Sequence, residues 1–233
     1  MESVVLERGG QRIFDGLSLS LNEARIGIIG DNGAGKSSLL RLIAGLDRPK
    51  AGVVRVHGLD SVTEFRSLSR KVALMFQNPD DQIICPTVEE ELGFTLSAHG
   101  LTRKQARAGA RDFLFAHGMQ DWATRSVAEL SQGQRQMICL LALQIGKPLT
   151  LLLDEPFASL DLLSQHRLAQ KILASGQQLI FSTHVLEQVL EFDRVLWIEK
   201  GSVRCDGPGR QVCEAYRRNV HDRVRSVDET ATA

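Results

Sequence analysis

The chain carries no net charge, with Lys plus Arg and Asp plus Glu numbering 28 each over 233 residues. That balance offers no field to draw it to nucleic acid or an anionic membrane, and no basic patch stands out. The four cysteines (Cys85, Cys139, Cys205, Cys213) include no C-x-x-C pair, so reduced, non-ligand thiols in a reducing compartment are expected. The N-terminus, Met1-Glu2-Ser3-Val4, lacks the basic-then-apolar build of a secretory signal. No apolar run approaches the ~18 residues needed to span a bilayer. The best stretch, around 137–153, is broken by Gln144, Lys147 and Pro148. A soluble protein is expected, with any membrane role coming through a partner. Internal repeats are lacking too, and the length suits one large domain or a core with a smaller lobe.

What is present is decisive. Residues 30–37 read Gly30-Asp31-Asn32-Gly33-Ala34-Gly35-Lys36-Ser37, the phosphate-cradling pattern G-x-x-x-x-G-K-[ST]. Three glycines let backbone N–H groups turn inward around an anion. Lys36 adds a point charge for the β- and γ-phosphates, and the Ser37 hydroxyl suits Mg²⁺. The apolar run 25–29 reads as the feeding strand, and Ser38–Gly45 as a helix whose positive end faces the phosphates. A Gly-rich turn without a ligand is the plain alternative. The second motif, Leu149–Pro156, is an apolar strand ending in Asp154 and Glu155. Period-two geometry is expected to send the two carboxylates to opposite sides, with Asp154 holding Mg²⁺ through water and Glu155 polarising the water that attacks the γ-phosphate. Leu130-Ser131-Gln132-Gly133-Gln134 opens an apolar helix. Ser131 and Gln134 have capping-box spacing, while Ser131 and the Gly133 amide could instead serve a second phosphate group.

Read coarsely, strands at 4–6, 17–21, 25–29, 52–58 and 71–76 precede a polar helical stretch at about 87–118, which opens on Thr87-Val88-Glu89-Glu90. Strand–helix alternation resumes at 149. The reading is an α/β core with a helical insertion and a small β portion. After about Tyr216 the charged, apolar-poor sequence reads as a loose tail.

The motifs Gly30–Ser37, Gln77 after a strand, Leu130–Gln134, Leu149–Glu155, Ser159-Leu160-Asp161 and Ser182-Thr183-His184 fall in an order that resembles ABC-type ATPase subunits over roughly residues 1–215. The resemblance implies a P-loop ABC ATPase with a RecA-like core (about 1–78 and 147–215), a small antiparallel β portion, a helical subdomain (about 79–146) and a tail at 216–233. It implies ATP and Mg²⁺, with nucleotide on Gly30, Asp31, Asn32, Gly33, Ala34, Gly35, Lys36, Ser37 and Ser38, metal at Ser37, Gln77 and Asp154, and catalysis by Glu155, His184, Gln77 and Lys36. Ser131, Gln132, Gly133, Gln134 and Asp161 act on the other subunit's ATP, so a homodimer suffices. The pattern departs from the family in two places. Gln132 stands where glycine is commonest. No aromatic occupies the usual adenine slot near Arg8-Gly9-Gly10, which leaves Arg8 as a candidate by guanidinium stacking, while Phe14 looks like core.

Phe76–Ile83 and Pro86–Leu92 look like the ATPases of energy-coupling-factor vitamin and metal importers, and Leu130–Leu140, Phe157–Asp161 and Phe192–Trp197 look most like their biotin branch. That implies an integral coupling subunit, a substrate-binding membrane subunit and a peripheral place on the cytoplasmic face of the cell membrane, with no nucleic acid. Cobalt or nickel import is the alternative within the class. A non-transport ABC ATPase is disfavoured by the compact single cassette, and a purely regulatory nucleotide binder by Glu155 and His184. The acidic run Asp80-Asp81, with Glu89–Glu91 behind it, is expected to meet arginine-bearing helices of the coupling subunit, or for Glu89–Glu91 simply to favour a helix dipole.

Overall fold

A computed structural model describes residues 1–158, 160–174 and 176–231, with side chains described to residue 225. Ser159 of the Ser159-Leu160-Asp161 motif and the last two residues of the expected tail lie outside the described residues. The chain forms two compact units, Met1–Phe65 with Gln178–Ala233, and Arg66–Gln177.

The first unit opens on an antiparallel hairpin, β1 (Glu2–Arg8) and β2 (Gln11–Leu17). Gly9 and Gly10 join them with φ of 57° and 80°, the paired positive angles that a two-residue hairpin turn demands. The hairpin explains why the second strand is not the expected 17–21: the tight turn commits the residues immediately after it to pair with β1. Next come β3 (Arg25–Ile29), α1 (Lys36–Ile43), β4 (Ala51–Val53), and a small ribbon of β5 (Arg55–Val56) and β6 (Leu59–Asp60). β4 pairs with β1, giving the order β2-β1-β4.

α2 (Phe65–Leu68) leads into the second unit, which holds β7 (Val72–Met75), α3 (Val88–Ala98), α4 (Arg103–Ala116), α5 (Gln132–Gln144), β8 (Thr150–Asp154) and α6 (Leu162–Leu173). Val88, Leu92, Ala110, Leu114, Ile138, Leu141 and Ile145 form its helical core. Thr95 of α3 donates from its hydroxyl to the Ala142 carbonyl of α5 at 2.8 Å. β7 and β8 pair in parallel, Val72 opposite Thr150 through Met75 opposite Leu153.

The chain then returns to the first unit with β9 (Gln178–Ser182), β10 (Arg194–Glu199), β11 (Ser202–Gly207) and α7 (Gly209–Ala231). Here the strand order is β11-β10-β3-β9, with β10, β3 and β9 parallel. Residues 216–231 are helical, which corrects the loose tail. Val212, Tyr216 and Val220 recur at four-residue spacing and put an apolar stripe on an otherwise charged helix. Val212 and Cys213 are fully buried. That stripe is too narrow to register in composition.

Candidate nucleotide-binding site

Ile26, Ile28 and Ile29 of β3 are buried, and the strand hands the chain to the loop before α1. Gly30, Gly33 and Gly35 take φ of 144°, 79° and 111°, angles that favour glycine. At Gly30 a Cβ would stand 2.1 Å from the Ile198 carbonyl oxygen, and at Gly35 one would stand 3.1 Å from the Phe14 ring. The buried Lys36 ammonium donates to the carbonyls of Gly30 at 2.9 Å and Asp31 at 3.2 Å. With three N–H donors in all, it is steadied by two and retains one for a phosphate oxygen. α1 starts with no side-chain cap, so the N–H groups of its first turn and the positive end of its dipole are offered to an anion. This cradle fits a polyphosphate. Ser37 is exposed and Ser38 buried. No group of three or more His, Cys, Asp or Glu suited to a metal occurs among the described residues. A Mg²⁺ ion at a site of this kind relies instead on a hydroxyl, a carboxylate and phosphate oxygens.

His184 follows β9, whose Ser182 stands beside Ile28 of β3. The Thr183 N–H donates to the Ile28 carbonyl at 3.1 Å, so His184 emerges at the sheet end where the phosphate loop begins. The Thr183 hydroxyl donates to Gln188 Oε1 at 2.6 Å and accepts from the Val185 N–H at 3.0 Å, fixing the backbone that carries His184. Arg8 is exposed beside the hairpin turn, whereas the residues of that hairpin that reach the loop at Gly35 are Ile13 and Phe14. Phe14 is core, 1% exposed. One contact has no signal in the sequence. Asp31 accepts from the Tyr216 hydroxyl and from Arg223, each at 2.7 Å, bringing the last helix onto the phosphate loop. Arg223 and Tyr216 hold the Asp31 carboxyl below its usual range.

In the second unit, the parallel pairing of β7 and β8 brings the exposed Gln77 and the carboxylates Asp154 and Glu155 to one end of the pair. Asp154 is the last residue of β8. Glu155, 8% exposed, has already left the strand, with φ of 48°. The period-two expectation therefore fails for it: a left-handed residue does not continue the pleat. The turn is closed by the Ala158 N–H donating to the Glu155 carbonyl at 3.0 Å. Behind Gln77, Gln82 Oε1 accepts from the Phe76 N–H at 3.2 Å and Gln82 Nε2 donates to the Cys139 carbonyl at 3.2 Å, tying this segment to α5.

Ser131 caps α5 in a full capping box with Gln134: the Gln134 N–H donates to Ser131 Oγ at 3.3 Å and the Ser131 N–H donates to Gln134 Oε1 at 3.0 Å. Gln132 is exposed. A Cβ on Gly133 would stand 3.2 Å from Leu160, so this glycine also serves packing. Asp161 caps α6, accepting from the Ser164 N–H at 2.9 Å and the Ser164 hydroxyl at 2.7 Å.

Within the acidic run, Glu89 and Glu91 behave differently from the docking expectation. Glu89 is buried against Arg107 and Arg111 of α4. Glu91, also buried, accepts from the N–H groups of Ile84 at 3.0 Å and Cys85 at 2.8 Å. Both are internal anchors rather than docking charges, because the helical layer needs them where composition suggests a solvated face.

A strand, a glycine-rich loop with a buried lysine and an uncapped helix start make this a P-loop nucleotide-binding protein. A family model described as ABC transporter matches residues 14–158, and the chain belongs to that family. It is a transport ATPase, binding and hydrolysing ATP. It is 45% identical to the biotin transport ATP-binding protein BioM of Rhodobacter capsulatus over 91% of each chain. Its fold is similar to that of cbiO1 from Clostridium perfringens, part of the ABC transporter complex cbiONQ, with a TM-score of 0.78 at 22% identity over 100% of this chain and 97% of that one. It is likewise similar to an ATP-binding cassette solved as a post-hydrolysis dimer with ADP and Pi, with a TM-score of 0.76 at 21% identity over 89% of this chain and 97% of that one. No helix among the described residues is long and apolar enough to cross a membrane.

Proposed function

We propose that this chain is the ATP-hydrolysing subunit of an energy-coupling-factor importer for biotin. It works as a homodimer on the cytoplasmic face of the cell membrane, against an integral coupling subunit and a substrate-binding subunit. The observation that carries the reading is the 45% identity to BioM over 91% of both chains, joined to a complete phosphate cradle. The triphosphate lies along Gly30–Ser38, with Lys36 at the β- and γ-phosphates and Arg8 the candidate for the base. Ser37, Gln77 and, through water, Asp154 would hold Mg²⁺, which would supply neutralising charge when bound. Glu155 accepts a proton from the attacking water, and His184 contacts the γ-phosphate. Ser131, Gln132, Gly133, Gln134 and Asp161 serve the partner copy's ATP. Two of these, Ser131 and Asp161, already cap helices, so their hydroxyl and carboxylate are held in place for a second task.

The test is reconstitution. Co-expressed with the membrane subunits of a biotin importer, the chain should support ATP-dependent uptake of labelled biotin. Assembly with, and uptake through, cobalt or nickel subunits instead would move the reading to the metal branch.

A further inference from the structure

Asp31 places a carboxylate inside a loop built to receive a polyanion. Its charge is met by Arg223 at 2.7 Å and its second oxygen by the Tyr216 hydroxyl at 2.7 Å. Both partners stand on α7, about 190 residues downstream along the chain. Tyr216 is itself seated: its ring meets Trp197 edge-on at 5.2 Å, and Arg204 covers the Trp197 ring at 4.6 Å. Trp197 is the register partner of Ile29, the last residue of the strand that feeds the loop. Burial and the Asp31 carboxylate push the Tyr216 hydroxyl up to about 12, so it remains a donor at any working pH. Lys36 also acts on the Asp31 carboxyl through space, so the two charges share one field. An uncompensated Asp31 would both repel phosphate and weaken the pull of Lys36 on it.

We propose that Arg223 and Tyr216 are positioning residues for ATP, neutralising and orienting Asp31 so that the phosphate loop presents only positive charge to its ligand. This rests on the reading that Gly30–Ser37 holds the triphosphate. It predicts an effect on affinity, not on chemistry, since neither residue touches the reacting atoms. The partners are half-exposed, with side-chain exposures of 48% for Arg223 and 47% for Asp31, so the effect is that of one partly screened charge.

The experiment measures MgATP binding and hydrolysis by the full chain. Arg223→Gln should raise both the dissociation constant and KM roughly three- to tenfold with kcat held. Arg223→Lys should stay near the wild-type value, and Tyr216→Phe should raise KM by less than Arg223→Gln. The discriminating variant is Asp31→Asn with Arg223→Gln, which lacks the ion pair altogether yet should recover affinity, because the offending charge is gone. The defect of Arg223→Gln should also shrink towards ~1 M salt, where the screening length falls to about 3 Å. Affinity unchanged in Arg223→Gln, or a double variant as weak as the single one, would overturn the proposal. The Arg223→Lys and salt measurements decide the matter even where a neutral variant folds poorly. A wild-type chain unable to bind ATP would instead sink the phosphate-loop reading on which this rests.

Discussion

Glu155 combines three properties that rarely meet in one residue: it is charged, buried, and held at φ 48° without being glycine. A left-handed conformation at such a residue costs on the order of 1 kcal/mol or more. Strain of that kind persists where the surrounding structure over-determines it, and here the turn after β8 does so. Glu155→Gln keeps shape, size and backbone preference and removes only the proton acceptor. ATP should bind as before while hydrolysis slows by about two orders of magnitude or more, the scale of general-base loss. Parallel ATP-binding and phosphate-release assays check this, and normal turnover in the variant would remove Glu155 from the mechanism.

At the scale of elements, α3 is fixed by its acids. Burial alone would push the Glu89 carboxyl up, but hydrogen bonds from Arg111 and Arg107 outweigh it and hold the group below its ordinary value. A depressed carboxylate contributes stability that is complete above the unfolded value of about 4.3 and is lost as pH falls through the lower folded one. Glu89→Gln should therefore cost about 2 kcal/mol at pH 7, read as a lower urea midpoint, with the gap to wild type closing below about pH 4. A gap that is constant with pH would mean the packing, and not the charge, matters. α5 shows the same economy at its start. Ser131→Ala should cost about 1 kcal/mol through the lost cap, which sets the structural baseline for any functional test of that residue.

At the scale of the whole molecule, one chain carries both the phosphate loop and the Leu130–Gln134 motif, one in each compact unit. If two copies complete each other's sites head to tail, the halves can be inactivated separately. Lys36→Ala removes charge from the cradle; Ser131→Arg puts a bulky cation where the partner's ATP would sit. Each should be inactive alone. Mixed, they should recover ATPase activity, since a dimer of one of each retains one intact site. Ser131→Ala, which loses the same cap, separates the folding cost from the block. A mixture as inactive as either variant alone would count against composite sites.

The local chemistry was legible without coordinates. Gly30, Gly33 and Gly35 announce a loop because only glycine takes those backbone angles, and Lys36, the strand before it and the helix after it follow from short-range pattern. The capping box of Ser131 and Gln134 is also a four-residue matter. Asp154 at a strand end was readable from an apolar run that stops. The sequence did not reveal that residues 216–231 are helical and hold Asp31, that Glu89 and Glu91 face inward, or that Glu155 leaves the strand. The helix contact and the seat of Glu89 depend on partners further along the chain: Arg223 lies 192 residues from Asp31, and Arg111 lies 22 from Glu89. Sequence alone determined what the backbone does within a few residues, because sterics and local hydrogen bonds act at that range. Which charge meets which was decided only by the tertiary structure, because an ion pair between distant segments exists only once folding has brought them together.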